Sequence, residues 1–300
     1  MRVPDEWLSS VCFLGLDMSH DDVFGTRYMG TGFYFSIENE FDASIGHLYL
    51  VTDRHTIEGA QASAGALVAR LNTEDGASVT TELSKLDWTF HDDPTVDLAV
   101  LGIRFTGADS RRAEIVRLHP DVCLDAEQTK RYDIGAGSEI SVIGMFHPRR
   151  GEERNIPIVR SGVISAMPSE PIYDESAIHG PYTAYLVEVL SLAGLSGSPV
   201  FVHAIAGPHH RHPQRPVDAG TVEVSTQWDQ HSFVLGVVRS HFDERPSERA
   251  EEVPRPEWIN KGIAAVTPIE RLLEMLQYDT FRRDRREEVA RVRTREVGHH

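Results

Sequence analysis

Short apolar runs, separated by turns rich in glycine, proline and charge, recur along most of the chain. They cover Val11 to Leu16, Gly32 to Ile37, His47 to Thr52, Leu67 to Leu71 and Leu98 to Phe105. After a polar stretch from Asp125 to Gly137 they resume at Glu139 to Met145, Ile156 to Met167, Ala184 to Leu190, Pro199 to Ala204 and Phe233 to Ser240. Many are β-branched or aromatic-rich and too short for buried helices, so the pattern predicts strands. Strands at such spacing with turn signals between them predict an all-β sandwich or barrel. The polar stretch near Gln128 to Gly137 is the natural joint between two β halves, taken as residues 1–130 and 131–266. One helix follows, with a tail, over 267–300. Thr267 can cap it, Pro268 suits its first position and Glu270 completes a capping box. Ile269, Leu272, Leu273 and Leu276 then form one apolar stripe for docking on the β body. From Asp279 to Val297 the chain is dense in Arg, Glu and Asp, which reads as a solvated helix or a frayed end before a partner-docking arm.

Composition permits a substantial core: 40% of the 300 residues are hydrophobic, and 23 more are glycine. Formal net charge is −16. That field repels phosphate backbones and anionic headgroups, so neither nucleic acid nor membrane is an expected partner. No stretch approaches the ~18 apolar residues of a spanning helix, and Met1 to Gly15 lacks a secretory leader's pattern. A cytoplasmic location is expected. Cys12 and Cys123 are too few for a disulfide framework, in keeping with a reducing compartment. His203, His209, His210 and His212 lie in or beside the proline-rich loop 206–220 and could ligate zinc, but no cysteine or carboxylate stands at ligand spacing. No metal or cofactor is expected.

Three segments carry candidate chemistry. In Ala193-Gly194-Leu195-Ser196-Gly197-Ser198-Pro199 a serine sits between glycines in a tight turn that feeds an apolar strand. Such a turn presents the hydroxyl while backbone N–H groups converge on a developing oxyanion. In Val51-Thr52-Asp53-Arg54-His55 an apolar strand ends in a polar turn with a histidine just beyond it, a rigid base for proton transfer. In Asp97-Leu98-Ala99-Val100-Leu101 an acid leads straight into an apolar strand, where it could accept the second N–H of the histidine. Asp53, Asp92 and Asp93 lie nearby, but none opens the strand as Asp97 does.

In these three motifs, in the order His, Asp, Ser, the chain resembles a trypsin-like serine peptidase of the chymotrypsin superfamily, closest to the bacterial HtrA/Deg type. Weaker echoes are Gly30-Thr31-Gly32-Phe33, Val159-Arg160-Ser161-Gly162-Val163-Ile164-Ser165, and Gly262-Ile263-Ala264-Ala265-Val266-Thr267-Pro268-Ile269. The resemblance implies two six-stranded antiparallel β-barrels with a C-terminal helix and a site in the cleft between the barrels. By the same resemblance Ser196 is the nucleophile, His55 the base and Asp97 its orienting acid, with N–H groups of Gly194 and Ser196 as the oxyanion hole. Leu195 replaces the acid that pairs with a cut amino terminus in pancreatic-type enzymes, so that zymogen switch is not expected. No PDZ-like module is expected after the closing helix.

For specificity the family pattern implicates Leu190, near the pocket base, with Arg239 and His241 on a wall strand. Leu190 disfavours basic side chains; Arg239 or His241 could favour an acidic one, unless Arg239 points to solvent and the pocket is simply apolar. The expected partner is a protein or peptide substrate, with a regulatory protein as a further possibility. Two other readings stand beside the peptidase: a silent barrel pair used for binding, and an esterase-type acyl hydrolase using the same groups.

Overall fold

The computed structural model describes residues 2–18, 25–103, 113–174, 177–190, 194–206, 229–244 and 259–297. Seven strands occupy the first half: β1 (Val11–Asp17), β2 (Thr26–Asn39), β3 (Asp42–Thr52), β4 (Ala66–Asn72), β5 (Ser78–Glu82), β6 (Thr89–Phe90) and β7 (Ala99–Ile103). They form one antiparallel sheet in the order β5-β4-β1-β2-β3-β7-β6. Six more follow: β8 (Glu139–Gly144), β9 (Ile158–Ala166), β10 (Tyr185–Glu188), β11 (Pro199–Ala206), β12 (Asp229–Glu244) and β13 (Ile259–Pro268). These close into a barrel in the order β10-β13-β12-β11-β8-β9. The all-β expectation holds, with one difference in strand count. The first body has seven strands where six were expected, because two-residue β6 adds an edge beside β7, and its edges β5 and β6 do not pair with each other.

Alternation along the strands sorts side chains into separate cores, as a period of two requires. In β2, Phe33 and Phe35 face one core while Tyr34 faces another; in β3, Tyr49 and Val51 oppose Leu50 in the same way. The first of these cores lies between the two bodies, since Phe33, Tyr49 and Val51 meet Ile143, Phe201, Val234 and Val237 of the barrel there. The barrel interior is filled by Ile140, Val142, Val200, Val202 and Leu235, among others. A shared apolar seam therefore fixes the two bodies against each other along the line where the catalytic candidates lie.

Among the described residues there are four α-helices, besides short 3-10 turns: α1 (Arg54–Gln61), α2 (Ala126–Arg131), α3 (Ile269–Met275) and α4 (Asp279–Val297). Two of them were not expected. Asp53 caps α1 by accepting the Thr56 N–H at 2.6 Å, and Asp125 and Gln128 form a capping box on α2 within the polar joint. The expected cap on α3 differs. Pro268 is its N-cap, without a side-chain bond, because Thr267 is still in β13 and paired with Val237. Strand pairing has taken the backbone that a capping box would use. The apolar stripe of α3 docks as expected, with Ile269, Leu272 and Leu276 buried in the inter-body core. The charged tail is helix α4, and it is anchored. Arg285 is fully buried and bonds Glu40 Oε2 at 2.6 Å and the Tyr49 hydroxyl at 3.2 Å. No helix among the described residues is long and apolar enough to cross a membrane.

Candidate active site

Strand β3 ends at Thr52, and the chain turns through Asp53 into α1, which puts His55 in the first helical turn. Asp97 stands two residues before β7, in a loop shaped by Asp93, whose carboxylate accepts both the N–H and the hydroxyl of Thr95 at 2.9 and 2.7 Å. Pairing of β3 with β7, Thr52 opposite Ala99, then brings the two ends together. Asp97 accepts the backbone N–H of His55 at 3.0 Å through Oδ1 and lies 2.8 Å from His55 Nδ1 through Oδ2. A carboxylate only accepts, so Nδ1 carries the hydrogen, and in the neutral ring Nε2 is the nitrogen with the free lone pair. That is the tautomer a general base requires.

The serine turn is held against the same corner. The Thr31 N–H donates to the Ser196 carbonyl at 2.9 Å. The Thr31 hydroxyl donates to the Gly194 carbonyl at 2.7 Å and accepts the Met145 N–H at 2.9 Å. From the barrel side, Gly197 N–H bonds the Val238 carbonyl and Val238 N–H bonds the Ser198 carbonyl, each at 2.9 Å. Gly194 and Gly197 take φ of +103° and +79°, the region where glycine escapes the Cβ penalty. At Gly197 the need is also spatial, since a Cβ there would collide with Thr52 Oγ1 and the Thr31 carbonyl and come 2.9 Å from Asp53 Oδ2. The turn thus packs directly on the segment that leads into His55. Leu195, in the place of an acid, is buried in the barrel core and anchors the turn by apolar contact. Among the described residues no backbone partner engages the N–H of Gly194 or of Ser196, whereas those of Gly197 and Ser198 are bonded.

Asp53, passed over in the sequence as a turn residue, is the group that sequence reasoning missed. It is fully buried and its Oδ1 lies 3.0 Å from His55 Nδ1, the same nitrogen that Asp97 engages. The nearest carboxylate oxygens of Asp53 and Asp97 and the ring nitrogen of His55 fall within 4.8 Å of one another, with the Nδ1 hydrogen bond made to Asp97 and Asp53 beside it as an ion-pair partner. Burial raises the Asp53 carboxyl to about 6, against the pull of the His55 charge. Burial would also raise Asp97, but the hydrogen bond from His55 outweighs it and holds that carboxyl below its usual range. For His55 burial works downward, yet the charges of Asp53 and Asp97 prevail and push it up to about 9, with Arg239 opposing them.

Arg239, expected on a wall strand, is engaged by neighbouring groups. A β-bulge between Val238 and Ser240 in the β12–β13 pairing re-aims it. Its guanidinium donates to the Thr95 carbonyl, on the Asp97 loop, and lies 3.6 Å over the Tyr182 ring. Leu190, expected near the pocket base, is 52% exposed. His241 pairs through its backbone with Ala264, and its side chain lies outside the described residues, as do His209, His210 and His212. His203 is a barrel residue whose two ring nitrogens are both taken by serines, Ser141 and Ser232, at 2.8 Å each. With both nitrogens occupied and burial lowering its basicity, this second Ser–His contact has no place for an orienting acid.

No family model matches the chain and no curated protein does. Solved structures do. An HtrA-type protease, AlgW, determined with a decapeptide, is 16% identical with a TM-score of 0.46 over 90% of this chain and 64% of its own. This chain thus spans just under two thirds of the AlgW chain. Deg5 is 16% identical with a TM-score of 0.45, covering 91% of this chain and 95% of its own. The Rv3671c protease from M. tuberculosis, in its active form, is 15% identical with a TM-score of 0.44, covering 89% and 79%. The likeness concerns the course of the backbone. With a seven-stranded antiparallel sheet, a closed six-stranded barrel and a C-terminal helix in that order, the architecture is plain. It is consistent with a chymotrypsin-like fold.

Proposed function

We propose that the protein is a serine endopeptidase that cleaves peptide bonds through Ser196, His55 and Asp97. The observation that carries this reading is the Asp97 grip on His55, side chain at 2.8 Å and backbone at 3.0 Å, beside a glycine-flanked serine turn bonded to the same corner. In this reading the Ser196 hydroxyl adds to the scissile carbonyl while His55 Nε2 takes its proton. The N–H groups of Gly194 and Ser196 bond the oxyanion, each donor contributing about 10²–10³ in rate. His55 then returns the proton to the departing amine, leaving an acyl-Ser196 ester. Water attacks that ester as His55 again accepts a proton, and carboxylic acid and free enzyme result.

Only neutral imidazole can begin this cycle. With two carboxylates raising His55 to about 9, turnover is expected to climb from neutral toward alkaline pH. Ser196→Ala and His55→Ala are each expected to abolish peptide hydrolysis with unchanged far-ultraviolet circular dichroism; the melting temperature should hold in Ser196→Ala and fall in His55→Ala, which leaves the buried Asp53 and Asp97 without their cation. Comparable turnover in either variant would overturn the assignment. A peptide-library digest compared with nitrophenyl-ester hydrolysis separates the peptidase from an esterase, and the absence of both reactions would favour the binding-module reading.

A further inference from the structure

We propose that Asp53 is a second positioning carboxylate for His55: Asp97 directs the ring through the Nδ1–H, and Asp53 holds a proton on it by charge. This rests on the reading of His55 as the base and adds a group to it. The geometry is specific. Asp53 is the N-cap of α1, two residues before His55, and its side chain is fixed by accepting the N–H of Thr56, three residues on. The same Oδ1 that accepts that N–H lies 3.0 Å from His55 Nδ1. Its other oxygen is walled off by Gly197 of the serine turn and by Thr52. An aspartate that needed only to cap a short helix could sit at the surface, as Asp125 does on α2. Asp53 is instead wholly enclosed against an imidazole.

The charged groups around the ring can be named from every side. Asp53 comes from the turn before α1, Asp97 from the loop before β7, and Arg239 from the bulge in β12. On α1 itself Arg54 is paired with Glu58 at 2.7 Å. Two anions against one cation leave the imidazolium favoured, and an opposite charge at this range moves a titration by about 1–3 units. Removal of the Asp53 charge therefore frees His55 to act as a base at lower pH. The nucleophile turn feels the same group, since it closes over the carboxylate at Gly197.

Asp53→Asn tests this cleanly, because asparagine keeps the cap acceptor and the shape while removing the charge. Two readouts are needed. The first is the His55 imidazole titration by NMR, assigned by its loss in His55→Ala; it should fall by at least ~1 unit in Asp53→Asn. The second is the rate of fluorophosphonate labelling of Ser196 against pH. Its acid limb should shift down equally, so that labelling at pH 7 rises about tenfold with the alkaline plateau within a few-fold of wild type. Should Asp53→Asn fold poorly, Asp53→Ser retains a cap oxygen and carries the same expectation. An unmoved His55 titration in a folded variant overturns the proposal, as does a uniform loss of labelling with no shift. If no variant labels but the titration moves, the serine reading fails while the hold of Asp53 on His55 stands.

Discussion

Thr31→Val removes one oxygen from the interior and asks how the nucleophile turn is held. Thr31 is fully buried, and its hydroxyl both donates to the Gly194 carbonyl at 2.7 Å and accepts the Met145 N–H at 2.9 Å. Valine has the same shape, so no cavity opens and the hydrophobic contribution hardly changes. What is lost is the pairing of two neighbouring backbone groups, the Gly194 carbonyl of the serine turn and the N–H of Met145, which packs against that turn. Each buried group left without a partner costs ~1–3 kcal/mol, so the variant should lose ~2–6 kcal/mol. The natural control is Thr31→Ser, which keeps both bonds and gives up one methyl, about 1 kcal/mol. Urea denaturation reads the difference as a lowered midpoint at unchanged slope. If the turn relaxes to recover the carbonyl, Gly194 rotates, and fluorophosphonate labelling should drop at least ~10-fold as the oxyanion donor moves out of line. A Thr31→Val protein within ~0.5 kcal/mol of wild type, with unchanged labelling, would refute the claim that this hydroxyl latches the turn.

Two further outcomes follow from the same corner. Arg239→Gln removes the cation that opposes His55 protonation, so the acid limb of labelling should move to higher pH, the reverse of Asp53→Asn; an unchanged or lowered limb would contradict the electrostatic account. Gly197→Ala has no room for its methyl and starts from φ +79°, so it should fail to label Ser196 and lose at least ~2 kcal/mol of stability in the same urea titration.

The apolar strands were legible because alternation has a physical cause. Phe33, Tyr34 and Phe35 must face different cores in turn, and the sequence shows it. Strand β5, Ser-Val-Thr-Thr-Glu, was not, since an edge strand turned partly to solvent needs no apolar face. Two-residue β6 is below any periodicity. Helix α1 hid because it is only eight residues long and its central signal, an aspartate three residues before a threonine, was read as a turn. Thr267 misled for a different reason, since a capping pattern cannot reveal that a neighbouring strand will claim the same backbone.

The site divides along the same line. Contact between His55 and Asp97 follows from motifs whose strands pair, and motif order alone anticipates it. The position of Asp53 depends on which way the first turn of α1 faces and on the serine turn closing over it, both tertiary facts. The contacts of Arg239 were not legible either, because they depend on one irregularity in strand pairing and on a loop distant in sequence. Charge at the site is thus set by residues whose roles emerge only on packing.

The central claim is that one hydroxyl in this chain is activated by one imidazole. Mass spectrometry of the protein after fluorophosphonate treatment, with the adduct located on its peptide, tests this directly. The account expects one adduct per chain, on Ser196, formed faster as pH rises toward 9 and absent from His55→Ala. An adduct on Ser198 or Ser141, or equal labelling with and without His55, would contradict it.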